Sequence, residues 1–77
     1  MRRIEVQTYK TRERAERMTA LRSRNAALLG EFSQLEVRQL GPNGFVGGEQ
    51  GELAARFPQA PITAQYSQGY RLKGGAA

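Results

Sequence analysis

The stretch Thr11–Leu29, TRERAERMTALRSRNAALL, constrains the chain more than any other. It holds no glycine or proline and is filled with good helix formers, so it reads as one long helix. Thr11 stands where an N-cap belongs, and Gly30 stands where a left-handed residue would end the helix. Glu13 precedes Arg17 in the order that favours a side-chain ion pair along a helix. On a helical wheel Ala15, Met18, Leu21, Ala26, Leu28 and Leu29 share one broad arc, the face expected to meet the core. Glu13, Glu16, Arg17, Thr19, Ala20, Ser23 and Arg24 share the other. Arg14, Arg22 and Asn25 fall inside the apolar arc, either as stems snorkelling from its edges or as part of a face that meets a partner.

Strand patterns flank this helix. Ile4–Tyr9 alternates, with Ile4, Val6 and Thr8 on one side and Glu5, Gln7 and Tyr9 on the other. Gln34–Leu40 alternates Leu35 and Val37 with Glu36 and Arg38. Gly41-Pro42-Asn43-Gly44 then signals a reverse turn into a short strand at Phe45 and Val46, giving a hairpin over 34–47. Gly47-Gly48 is expected to break that strand. Glu49–Phe57 fits a short helix with Leu53, Ala54 and Phe57 on one face, stopped by Pro58. From Ile62 to Lys73 apolar residues hold the even positions except Gln68, which predicts one long strand or a hairpin turning at Ser67-Gln68-Gly69. The order β-α-β-β-(α)-β predicts a single α+β domain over 1–73, with 74–77 as a flexible tail. The expected architecture is a sheet of three to four strands on a ferredoxin-like, split-βαβ plan, with one main helix packed on one face.

Seventy-seven residues give a thin core, which small domains often supplement with disulfides, metals or association. Cysteine and histidine are both absent, which removes disulfides and the usual zinc sites and leaves a small unaided core or an oligomer. No apolar run approaches a transmembrane length, and MRRIEVQTYK has no apolar signal core. The expected location is cytoplasmic, or virion-associated for a phage-encoded chain, with no membrane span, no metal and no cofactor.

The net charge of +5 is concentrated at one end. Residues 1–24 carry eight basic side chains against three glutamates, whereas residues 25–77 carry four of each. A patch of this kind steers nucleic acid, an acidic protein surface or anionic lipid.

Catalysis is not expected. Asp is absent along with His and Cys, removing the commonest general base and the thiol nucleophile. Gly44-Phe45-Val46-Gly47-Gly48 fits neither a P-loop nor GxGxxG and reads as a strand end leading into a helix.

Two binding classes remain. The favoured one is a protein-binding module, an accessory, regulatory or structural part of a larger assembly, with a protein partner or self-association as the contact. Its candidate contacts are Arg12, Arg14, Arg17, Arg22 and Arg24 on the strand–helix face, with Phe45, Tyr66, Tyr70 and Arg71 as aromatic and cationic anchors, and the C-terminal strand offers an edge for augmentation. The alternative is single-stranded RNA or DNA binding, with Tyr9, Phe45, Tyr66 and Tyr70 stacking bases and Arg12, Arg17 and Arg24 on phosphates.

Asn43-Gly44-Phe45-Val46 resembles the third-strand aromatic motif of RNA-recognition domains, without its leading cation and second aromatic. Val6-Gln7 with Arg14-Ala15-Glu16-Arg17-Met18 and Leu21 resembles the opening strand and helix of the sporulation-related repeat family. That resemblance implies a ferredoxin-like fold and a peptidoglycan glycan-strand ligand. The family's Gly and Phe after the first strand are missing here and the strand–helix spacing is shorter, so no binding residue is carried over.

Overall fold

The computed structural model describes residues 4–72; the tail expected at 74–77 lies outside them. Five strands and two helices follow in the order β1 (Gln7–Tyr9), α1 (Arg12–Leu28), β2 (Gln34–Gly41), β3 (Gly44–Glu49), α2 (Gln50–Arg56), β4 (Ile62–Ser67) and β5 (Tyr70–Arg71). The α+β class is as expected. The strand count is five rather than three to four, because 62–71 folds as a hairpin and adds a strand. Its turn has positive φ at both Gln68 (54°) and Gly69 (88°), the backbone that lets a two-residue turn follow the natural strand twist.

Both ends of α1 are set by local chemistry. The Thr11 hydroxyl accepts a hydrogen bond from the Arg14 N–H at 3.2 Å, satisfying one of the free donors of the first turn. At the other end Gly30 takes φ 76°, and Gly30 and Glu31 N–H groups return to the carbonyls of Ala27 (3.0 Å) and Ala26 (2.9 Å), a Schellman closure.

The sheet is antiparallel throughout, in the order β1-β3-β2-β4-β5. Helix α1 carries the chain from β1 past β3 to β2, and α2 carries it from β3 past β2 to β4. The two crossovers leave strands of opposite direction and step the same way across the sheet. Crossovers of one hand therefore place their helices on opposite faces.

The contacts agree, and they are made through two adjacent residues of β3. A Cβ on Gly47 would overlap the Thr19 hydroxyl of α1, while a Cβ on Gly48 would lie 3.2 Å from Val6 and 3.7 Å from Leu53 of α2. Neighbouring residues of a strand point to opposite faces, so the sheet has a helix on each side. The ferredoxin-like expectation of one main helix on one face is not reproduced in these specifics.

Gly47-Gly48 also does not break the strand, which runs on to Glu49. Gly47 is approached closely by Thr19 of α1 and Gly48 by Val6 of the N-terminal segment, and close approach is a recognised reason for glycine inside a strand.

Under α1 lies the main core of Ala15, Leu35, Val37, Phe45, Ala64 and Tyr66, flanked by Ile4, Tyr9 and Ala20. On the α2 side Val46 and Leu53 are fully buried, together with a charged pair. Glu36 is wholly buried, and Arg38 donates Nε–H to its Oε2. The same guanidinium donates through Nη1 to the carbonyls of Phe57 (2.9 Å) and Ala60 (3.3 Å). One side chain thus satisfies the open end of α2 and fastens the following loop to the sheet. The second turn, Pro42-Asn43, is entered through an irregularity between Gln39 and Gly41 that leaves Leu40 outside the register and 45% exposed.

Two stability outcomes follow from these contacts. Gly47→Ala is expected to lower unfolding free energy by about 1–3 kcal/mol through overpacking, and Thr19→Ala in the same chain is expected to restore most of it; urea titration of the single and double variants reads both. Arg38→Met, which strands Glu36, is expected to cost about 3–5 kcal/mol, whereas Glu36→Leu with Arg38→Met costs much less. Equal losses in the single and double variants would show that the charge pair is not the source.

Candidate binding surface

Thr19 packs on Gly47, and this sets the rotation of α1. The helix buries Ala15, Thr19, Ser23 and Ala26, a stripe of small side chains that lets its backbone lie close to the sheet. Ser23 has a specific partner, since its Oγ accepts the Gly69 N–H at 3.0 Å and holds the β4–β5 turn against the helix. The opposite side of the helix carries Arg14, Arg17, Leu21, Arg24 and Leu28, all exposed. Leu21 and Leu28 are 45% and 78% exposed, and Leu29 is 64% exposed. The expected apolar inner arc is therefore corrected: its leucines face solvent, and Thr19 and Ser23, assigned to the outer arc, face the core.

The candidate arginines divide into two groups. Arg12 is bound to Glu16 (Nε–Oε2, 2.9 Å), and Arg71 reaches the other oxygen of the same carboxylate at 3.5 Å. Arg22 turns inward, donating to the Glu5 carbonyl and, at 3.4 Å, to the Tyr9 hydroxyl, so it ties α1 to the N-terminal segment and is not part of the outer face. Arg17 makes only an exposed 3.5 Å pair with Glu13, a contact worth little in water. Arg14 and Arg24 are exposed and have no carboxylate within ion-pair distance among the described residues. The unpaired positive charge of the helix is thus carried by Arg14 and Arg24, with Arg17 held only by its exposed contact to Glu13.

The aromatic candidates divide as sharply. Phe45 and Tyr66 are 5% and 3% exposed and belong to the core beneath α1, which removes them from any surface the folded chain presents. Tyr70 is 75% exposed on β5, at the sheet margin beside α1. With α1 over one face and α2 over the other, the middle of the sheet offers no aromatic platform.

A cleft of about 260 Å³ between residues 4–7 and α1 is bordered by Arg22, Asn25 and Glu31, but the Arg22 guanidinium there is already engaged. Among the described residues no three His, Cys, Asp or Glu side chains gather as metal ligands, and no helix is long and apolar enough to cross a membrane.

The sequence reading missed Leu21 and Leu28 as surface residues. The signal was available in the small residues Ala15, Thr19, Ser23 and Ala26, which recur at helical spacing and match a glycine pair in a strand. Hydrophobicity alone ranks leucine above threonine for burial, and here close backbone approach decides the matter.

Tyr66 links this surface to the core. Its hydroxyl donates to the Glu16 carbonyl at 3.1 Å. Burial raises its pKa above the ordinary tyrosine value of 10.0; Arg71 opposes the shift and Glu16 adds to it. The folded state therefore holds this proton more tightly than the unfolded one, and the contribution is lost as pH rises past 10.0. Tyr66→Phe is expected to lose about 1 kcal/mol at neutral pH and then to lose less than the parent chain on alkaline titration, read by thermal melts across the alkaline range. Parallel alkaline curves for the two chains would exclude this role.

Comparison with protein-family models, curated proteins and solved structures finds no match to this chain, so the reading of its surface rests on geometry.

Proposed function

We propose that the chain is a non-catalytic binding module, part of a larger assembly, that receives a protein partner on the outward face of α1 and the adjoining β5 margin. One observation carries this reading: α1 packs through its smallest residues and presents Arg14, Arg17 and Arg24 beside exposed Leu21 and Leu28. A face that mixes exposed arginines with large apolar side chains suits protein contact, where arginine and aromatic anchors such as Tyr70 contribute strongly. The lack of His, Cys and Asp supports the non-catalytic half.

Base stacking on the sheet has less support, because Phe45 and Tyr66 lie under α1. Self-association through an overhanging strand has less support as well, because Ile62–Arg71 closes on itself as a hairpin.

The test is affinity capture from source cells with the parent chain and with Arg17→Glu/Arg24→Glu, each with and without nuclease. The expected result is a protein retained stoichiometrically by the parent chain, unaffected by nuclease and lost with the variant. Retention abolished by nuclease would replace the reading with nucleic-acid binding. Equal retention by both chains would show that the α1 face is not the contact.

A further inference from the structure

We infer that the occupant of the α1 face is an acidic amphipathic helix lying along the row Arg14, Arg17, Leu21, Arg24 and Leu28. This rests on the binding-module reading above and names the partner's chemistry.

The row recurs at alternating steps of three and four residues, the spacing by which one helix presents a seam to another. Over α1 it runs roughly 20 Å, given a rise of about 1.5 Å per residue. It ends on Leu28, which is 78% exposed. Of the residues bordering the seam, Met18, Ala20, Asn25 and Ala27 are uncharged, and two of them are alanines that allow a second backbone to come close. Glu13 borders its N-terminal end in an exposed 3.5 Å pair with Arg17, a contact that a partner's carboxylate would have to displace. Apolar side chains on a partner helix would pack on Leu21 and Leu28, and carboxylates at its intervening positions would reach Arg14, Arg17 and Arg24.

Charge selects among the occupants such a seam could take. In a second copy of this chain, parallel packing sets each arginine against itself, and antiparallel packing about Leu21 sets Arg17 against Arg24. Both juxtapositions are repulsive. An anionic bilayer suits helices whose apolar face is separated from their cations, whereas here arginines and leucines alternate in one row, so sinking Leu21 would carry Arg17 and Arg24 with it. A phosphate backbone would engage the three arginines and leave both leucines without a partner. Only a surface that is acidic and apolar in the same row satisfies every member.

The probe is a synthetic helical peptide about three heptads long, with leucine along one face and glutamate at the flanking positions. A second peptide of the same composition has its order scrambled. Each is titrated into the isotopically labelled full chain at physiological ionic strength. The expected result is amide shifts concentrated on residues 14–28 with the patterned peptide, and about tenfold or weaker binding of the scrambled one. Leu21→Asp/Leu28→Asp, at positions 45% and 78% exposed, is expected to weaken the patterned peptide by about tenfold or more with an unchanged circular dichroism spectrum.

Equal binding of the two peptides would overturn the helix and leave a general acidic partner. Tighter binding of a single-stranded oligonucleotide, or of phosphatidylserine-containing vesicles, through the same residues would overturn it in favour of that occupant. No shift at about 1 mM peptide would overturn it outright. The two readings fail separately: if Arg17→Glu/Arg24→Glu abolishes capture in the preceding experiment while the patterned peptide gives no shift, the module stands and the helical partner does not.

Discussion

The close approach of α1 to Gly47, with the N-terminal segment against neighbouring Gly48, is the contact on which the rest of this structure depends. Gly47 admits Thr19 on one face of β3 and Gly48 admits Val6 and Leu53 on the other. Because β3 lies between β1 and β2, a side chain at Gly47 would lift α1 from the strand over which it crosses, and one at Gly48 would press on Val6 beside it. In a domain this small there is no second layer of packing to absorb the gap. The rotation of α1, the exposure of its leucines and the seating of the β4–β5 turn on Ser23 all follow from the short distance that Gly47 permits.

The two faces of the sheet are held by different physics. Under α1 the packing is aliphatic and aromatic and centres on Leu35, Val37, Phe45 and Tyr66. Under α2, a helix of seven residues, apolar area is scarce, and Leu53 with Val46 is joined by the Glu36–Arg38 pair. A buried ion pair adds little net stability over a hydrophobic equivalent. Its distinct contribution here is directional, since Arg38 reaches two carbonyls that no aliphatic side chain could satisfy. The loop from Phe57 to Pro61 is thereby fixed against β2, where the Gln39 N–H also donates to the Pro61 carbonyl at 2.9 Å.

Much of the secondary structure was legible in the sequence because its signals are local. Thr11 and Gly30 mark the ends of α1, Pro42-Asn43 marks a turn, and Pro58 follows the end of α2. What remained hidden depends on residues far apart in the chain. The inward face of α1 is chosen by Gly47, which a helical wheel does not contain. Gly47-Gly48 reads as a strand breaker until α1 and the N-terminal segment that lie against it are in place. The candidate site was legible as a list of charges and not as a surface: Arg22 proved to be an internal tie, Arg12 and Arg71 share Glu16, and Phe45 and Tyr66 are core. Arg14, Arg17, Arg24 and Tyr70 remain outward. Burial and pairing are properties of the assembled sheet, and a count of arginines holds no information about them.

A helix held down by Ala15, Thr19, Ser23 and Ala26 leaves Arg14, Arg17, Arg24 and Leu28 outside the packing. In most small domains a leucine is shared between core and surface, and a change made for recognition is felt as a change in stability. Here the residues that pack the sheet and the proposed contact residues lie on opposite sides of α1. The outward row could drift in sequence, or be rewritten by design, while the fold beneath it stays intact.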